Sequence, residues 1–142
     1  MIAMQLNELE LEELWVEDKP SHRVKVNMPL AGMPGTETIG VVYIELEPGD
    51  VAETHVHDVD EILILLAGKG EVTVANESGV FSSGGLVWVP KDVSHGFRNI
   101  GSDTLRAIGI FDGAKIVTEF ESVLMPIGTK ILTDESVSAE AD

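Results

Sequence analysis

Between residues 39 and 120 the chain runs in short apolar bursts, several alternating with polar positions, and each is closed by residues that favour turns. The run 39–46 stops at Pro48-Gly49-Asp50, the run 61–66 at Gly68-Lys69-Gly70, the run 71–75 at Asn76-Glu77-Ser78-Gly79 and the run 86–89 at Pro90. Val80-Phe81 leads into Gly84-Gly85, and two further runs, 104–111 and 115–120, flank Asp112-Gly113. Valine, isoleucine, threonine and aromatic residues fill the bursts. Short strands with a turn about every 8–12 residues predict an all-β domain, either a sandwich or a small barrel. Residues 25–125 carry no amphipathic helical pattern of ordinary length and no repeat of fixed period.

The ends read differently. Leu11, Leu14 and Trp15 fit helical spacing, whereas Leu9 and Leu11 fit a strand, so the period leaves residues 1–24 open. They are expected to form an arm that docks on the domain or on a second subunit, or else a frayed leader. Residues 133–142 hold four carboxylates and one sizeable apolar side chain, Val137, which predicts disorder. The expected organisation is an arm over 1–24, a barrel over 25–128 and an acidic tail over 129–142.

Composition narrows the chemistry. At 142 residues with 44% apolar side chains the chain suits one domain with its own core. It has no cysteine, which excludes disulfides, a thiol nucleophile and thiolate metal ligands. A net charge of −16 disfavours nucleic acid and anionic membranes, whose affinity for proteins comes from Lys and Arg. No basic, apolar leader opens the sequence, and the longest apolar run, 62–67, is far too short to span a bilayer. These features predict a soluble, cytoplasmic protein.

Three of the four histidines fall in two segments. In Glu53-Thr54-His55-Val56-His57-Asp58-Val59-Asp60-Glu61, a strand would point His55 and His57 to one face, with Val56 opposite. Glu61 follows after a short bend, and His95 lies in Ser94-His95-Gly96-Phe97. Three imidazoles and one carboxylate suit a first-row divalent ion, and on an octahedral ion they leave two positions open, the mark of a catalytic site. Taken singly, each residue has a plain reading: a packing pair, a surface carboxylate, a turn histidine. Glu53 shares the parity of His55 and is a candidate general base. Candidate wall residues are Val59, Leu63 and Phe97 by parity, together with Tyr43, Trp88 and Arg106, whose faces the sequence does not fix. His22 reads as a surface residue of the arm.

The glycine and proline frame around these residues resembles the cupin superfamily. Its first motif, Gly-x5-His-x-His-x3-Glu-x6-Gly, is matched by Gly49, His55, His57, Glu61 and Gly68. Its second, Gly-x5-Pro-x-Gly-x2-His-x3-Asn, is matched by Gly84, Pro90, His95 and Asn99, with Asp92 in place of the central glycine. Aspartate tolerates left-handed turn geometry better than most residues, so the departure predicts little damage. The resemblance implies a single double-stranded β-helix, or jelly-roll, barrel. It implies one divalent transition metal per subunit (Fe, Mn, Ni, Cu or Zn) on His55, His57, Glu61 and His95. It further implies a small-molecule substrate and a homodimer, with the leucine-rich arm and residues 124–127 as surfaces for pairing. A dioxygenase-like oxidoreductase is the first expectation. A lyase, isomerase or decarboxylase using the ion as Lewis acid, or a non-catalytic binding barrel, is the alternative.

Overall fold

A computed structural model describes residues 1–29 and 38–133. Apart from one 3-10 turn, Leu6–Glu8, the regular elements among them are strands. In chain order these are β1 (Glu12–Val16), β2 (Lys19–Asn27), β3 (Gly40–Leu46), β4 (Val51–His57), β5 (Glu61–Ala67) and β6 (Gly70–Val74). They continue with β7 (Glu77–Phe81), β8 (Leu86–Val89), β9 (His95–Asn99), β10 (Leu105–Phe111), β11 (Thr118–Leu124) and β12 (Thr129–Leu132). Two antiparallel six-stranded sheets result, in the orders β1-β2-β3-β10-β5-β8 and β12-β11-β4-β9-β6-β7. From β3 to β6, and again from β7 to β11, each strand crosses to the other sheet. This is the wrapping of a jelly-roll barrel.

Alternation drives the closure. In β5, Glu61, Leu63 and Leu65 turn inward while Ile62 and Ile64 turn out; in β10, Leu105, Ala107 and Phe111 are buried between less buried neighbours. Both sheets thus bring an apolar face to a shared interior.

Both chain ends join the sheets further than their sequence patterns imply. Leu14 and Val16 are 2% and 3% exposed, with Glu13 and Trp15 on the outer face of β1, so a two-residue period wins over the helical one. β1 pairs along β2 and β2 along β3, so the border drawn at residue 24 cuts a strand. At the other end β12 pairs with β11 and buries Leu132, inside the stretch 129–142 assigned to the tail. The remaining tail residues, 134–142, lie outside the described residues.

The interior divides into two apolar clusters. One gathers Leu46, Leu63, Leu65, Val72, Leu105 and Ala107 at one end of the barrel. The other, around Leu14, Val26, Val42, Phe111, Phe120 and Leu132, surrounds a cavity that opens to solvent. Five of the buried polar residues, His55, His57, Glu61, His95 and Thr118, sit on the wall of that cavity.

Candidate metal centre

β4 lies between β9 and β11, and this placement assembles the site. His55 is registered opposite His95 on β9, and His57 opposite Thr118 on β11. Glu61 comes from the facing sheet, at the start of β5. The imidazoles pack with ring centroids 4.2–4.9 Å apart, and one ring nitrogen from each lies within 4.8 Å of the other two. Nε2 of His57 and of His95 are 3.3 and 3.1 Å from Glu61 Oε1. All four residues are at most 9% exposed.

The outer nitrogens show what the inner ones must be. Nδ1 of His55 is 2.6 Å from the Glu53 carbonyl, and Nδ1 of His95 is 3.0 Å from the Val93 carbonyl. A carbonyl only accepts, so each Nδ1 carries a proton, and in the neutral form of each ring the Nε2 turned inward is bare. Nδ1 of His57 meets the Thr118 hydroxyl at 2.7 Å, completing an outer shell that orients all three rings. His95 Nε2 is buried and has no hydrogen-bond partner, although Glu61 Oε1 is close, because two acceptors face each other there. An unpaired buried acceptor is costly. A metal cation placed among these atoms would satisfy all of them, so the donor set fits a divalent ion.

Electrostatics point the same way. Burial, followed by the neighbouring His95 and His57, pushes His55 down to about 3. Burial works to raise Glu61, but the His57 and His95 rings beside it, by hydrogen bond and charge whenever they take up a proton, outweigh burial and hold the carboxyl at about 2. The interior thus rejects a proton on His55 while keeping Glu61 an anion.

The turns of the frame behave as their residue types require. Gly49, Gly68 and Gly84 have φ of 85°, 87° and 89°, and Asp92 takes φ 63° where the motif carries glycine. The Asn99 amide donates to the carbonyls of Leu46 and Asp103, and its oxygen accepts from the Gly101 N–H.

Of the sequence-named wall residues, Phe97 lines the cavity and the others do not. Leu63 has inward parity but packs in the filled end, one inward step, roughly 7 Å, further along β5 from Glu61. Val59 packs behind the site against the Phe111 cluster. Trp88 is 59% exposed on the outer face of β8. Tyr43, which is fully buried, and Arg106 are bonded to each other across neighbouring strands away from the cavity, where the Tyr43 hydroxyl also donates to Glu45 at 2.7 Å.

Glu53 is also corrected. The pairing of β4 with β9 shifts between Ala52 and His55, so Ala52 takes the cavity-facing position and Glu53 turns away. Its carboxylate accepts from the Ser122 N–H at 2.9 Å and hydroxyl at 2.7 Å and pairs with Lys19 at 3.3 Å. Burial opposes ionisation, but these donors prevail and hold its pKa below the ordinary value. It is therefore a clamp between strands rather than a base. His22 is half-buried beside it, with Nδ1 3.4 Å from Glu53 Oε1.

Two residues of the site carry no motif signal. Thr118 is one. Gly109, inside β10, is the other: a Cβ there would overlap Glu61 Oε2 and press Val42. A glycine within an apolar strand often marks such a close approach, and Ile108-Gly109-Ile110 is that signal.

Comparison with known proteins agrees with this picture. Residues 42–111 match the Cupin domain family. A Streptomyces coelicolor protein, SCO3923, is 32% identical over 66 residues, which is 46% of this chain and 62% of that one. The chain thus covers less than two thirds of this relative. Among solved structures, an Acidithiobacillus ferrooxidans protein provisionally called a sugar phosphate isomerase superposes with TM-score 0.64 at 24% identity, covering 81% of this chain and 76% of its own. Lactobacillus farciminis oxalate decarboxylase gives 0.69 at 22% identity over 82% and 34%. The Bacillus subtilis oxalate decarboxylase, a protein with Mn(II) centres, gives 0.64 at 21% over 75% and 30%. At these identities the likeness is one of fold.

Proposed function

We propose, for a chain that belongs to the cupin superfamily, that it is a metal-dependent enzyme acting on a small molecule, with one divalent transition ion held by His55, His57, His95 and Glu61. The supporting observation is the convergence of bare imidazole nitrogens on a buried carboxylate, with His95 Nε2 left unpaired. Bound there, the ion would supply Lewis-acid and, for a redox metal, electron-transfer chemistry. The protein holds the donors in one geometry, keeps bulk water off with Phe111 and Phe120 packed against His57 and His55, and keeps Glu61 ionised.

Among the possible reactions the site favours a dioxygenase-like oxidation. Lyases and isomerases move protons with a positioned acid or base. Among the described residues lining the cavity, the titratable ones are the four donors themselves, and Glu53 points elsewhere. Oxygen insertion asks for no such group. The reading is tested by elemental analysis of protein never exposed to a nickel column. Wild type is expected to carry about one equivalent of a transition metal and H55A/H57A essentially none; unchanged content in the variant overturns it. The reaction class is tested by screening small organic molecules under isotopically labelled dioxygen, with both labelled atoms expected in the product.

We also propose a homodimer. The arm and residues 124–127 are spent on their own subunit: Leu14 and Leu124 are buried, and Trp15 pairs with Met125 through N–H···O bonds of 3.0 and 2.7 Å. The surface that favours pairing is the outer face of β8, β5 and β10. There Trp88, Ile62 and Ile110 form one row across the strands and Leu86, Ile64 and Ile108 the next, with Trp88 and Leu86 59% and 60% exposed. A contiguous apolar sheet face is a typical subunit interface. Trp88→Glu is expected to shift the protein from dimer to monomer in sedimentation. The cysteine-free chain suits a reducing compartment, and the cytoplasm is the proposed location.

A further inference from the structure

The cavity is unusual less for what it contains than for what it omits. Of its sixteen lining residues, eleven are apolar. The five polar ones are the four donors and Thr118, whose hydroxyl is committed to His57. No polar side chain among the described lining residues remains free to hydrogen-bond a bound molecule.

Charge reinforces the point. All nine Lys and Arg belong to the described residues, and none lines the cavity. The six on strands that wall it are engaged elsewhere: Lys19 with Glu53 at 3.3 Å, Arg23 with Asp50 at 3.0 Å, Lys25 with Glu47 at 3.8 Å, Arg98 with Glu71 at 2.8 Å and Arg106 with Tyr43, while Lys130 is exposed. Residues 30–37 and 134–142, outside the described set, contain neither Lys nor Arg. A divalent ion with Glu61 leaves one net positive charge in the site, enough for a single anionic head. A phosphate or a second carboxylate would be buried against hydrocarbon with no partner to replace its lost hydration. The net charge of −16 works against its entry as well.

We propose that the substrate of this site is a small, predominantly apolar molecule whose sole polar part is an oxygen-donor head directed at the ion, and that phosphorylated sugars and dicarboxylates are excluded. The proposal rests on the metal reading above. Specificity then comes from the hydrocarbon wall: Val26, Val42, Ile44, Phe97 and Phe111 select the body of the molecule while the head is fixed by the ion.

The test holds the head constant and varies the tail. Full-length protein is loaded with cobalt(II), loading is verified by elemental analysis, and binding of three hydroxamates is followed by cobalt absorption. They are acetohydroxamate, hexanohydroxamate and the monohydroxamate of succinic acid. Each methylene buried is worth about fourfold in affinity, from ~0.8 kcal/mol per CH₂. Hexanohydroxamate is therefore expected to bind at least tenfold tighter than acetohydroxamate, and the carboxylate-tailed probe at least tenfold weaker than the hexanoyl one. A carboxylate-tailed probe that binds as tightly as the hexanoyl one, or a hexanoyl tail that adds nothing, overturns the proposal and leaves the metal site standing. A protein that takes up no cobalt overturns both.

Discussion

The two ends of the barrel are built from the same strands and do opposite things. On β5, Glu61 belongs to the cavity end while Leu63 and Leu65 belong to the filled end; on β10, Phe111 faces the cavity while Ala107 and Leu105 are packed solid. In the filled end Leu46, Leu65, Leu105 and Ala107 are 0% exposed. Gly68 and Gly70 let the chain close over Leu105, since a Cβ at either would fall 2.8 Å from an atom of that residue. In the cavity end the apolar side chains pack around an open space, and the imidazoles and carboxylate occupy part of its wall. Parity decides whether a residue faces inward; depth along the strand decides whether it stabilises the fold or serves the site.

The largest expected effect separates the two ends by stability. Leu65→Ala removes a fully packed side chain and is expected to cost about 2–5 kcal/mol in urea unfolding while leaving metal content unchanged. A loss of metal in that variant would show that the two ends are one cooperative unit.

Acidification comes next and acts on the cavity end. In the unfolded chain His55 takes up a proton near pH 6.5, whereas in the fold it does so at about 3. Between those values the unfolded state binds more protons, so the stability of metal-free protein falls as pH falls, by about 1.4 kcal/mol per pH unit. Glu61, about 2 in the fold against 4.5 as its ordinary value, adds a loss of the same sign below pH 4.5. Unfolding midpoints measured from pH 7 to 4 should show the slope in Leu65→Ala and lose most of it in His55→Ala. A flat profile in the metal-free wild type would contradict the buried, neutral imidazole.

How much of this was legible beforehand follows from the same contrast. Period and turn chemistry predict the strands, and strand parity predicts the convergence of His55 and His57, because both are local properties. Parity misplaces Glu53, because the pairing irregularity before His55 reverses the faces and leaves no mark in residue types. It also puts Leu63 beside the imidazoles, because depth is set by how strands stagger across two sheets. Trp88 and Arg106 are amphipathic enough to suit either face, and their placement on the outside was decided by pairing partners far away in sequence. Leu14 shows the reverse case, in which two periods competed locally and sheet pairing chose between them.

Gly109 sharpens the comparison within a single strand. Gly109→Ala would drive a methyl group into Glu61 Oε2 and displace the carboxylate from the imidazoles. The expected result is a loss of metal affinity of about a hundredfold, toward the upper end of the range for disturbing a ligand's setting. Ala107 already carries a methyl group two residues away in the filled end, so adding one is harmful only where the carboxylate needs the space.

The smallest effect is expected at Thr118, which touches no ion and orients only one ring. Thr118→Val keeps the shape and removes the hydroxyl that meets His57 Nδ1 at 2.7 Å. His57 then keeps its position on β4 but loses the bond that fixes its tautomer and rotation, and metal affinity should fall about tenfold. Thr118→Ser restores the hydroxyl without the methyl and should recover most of that loss, whereas a purely packing role would predict that valine is tolerated and serine is not. Competition titrations against a chelator read the difference directly. If valine binds the ion as well as threonine does, His57 is held by packing against Phe111 alone, and the outer shell of the site reduces to the two backbone carbonyls behind His55 and His95.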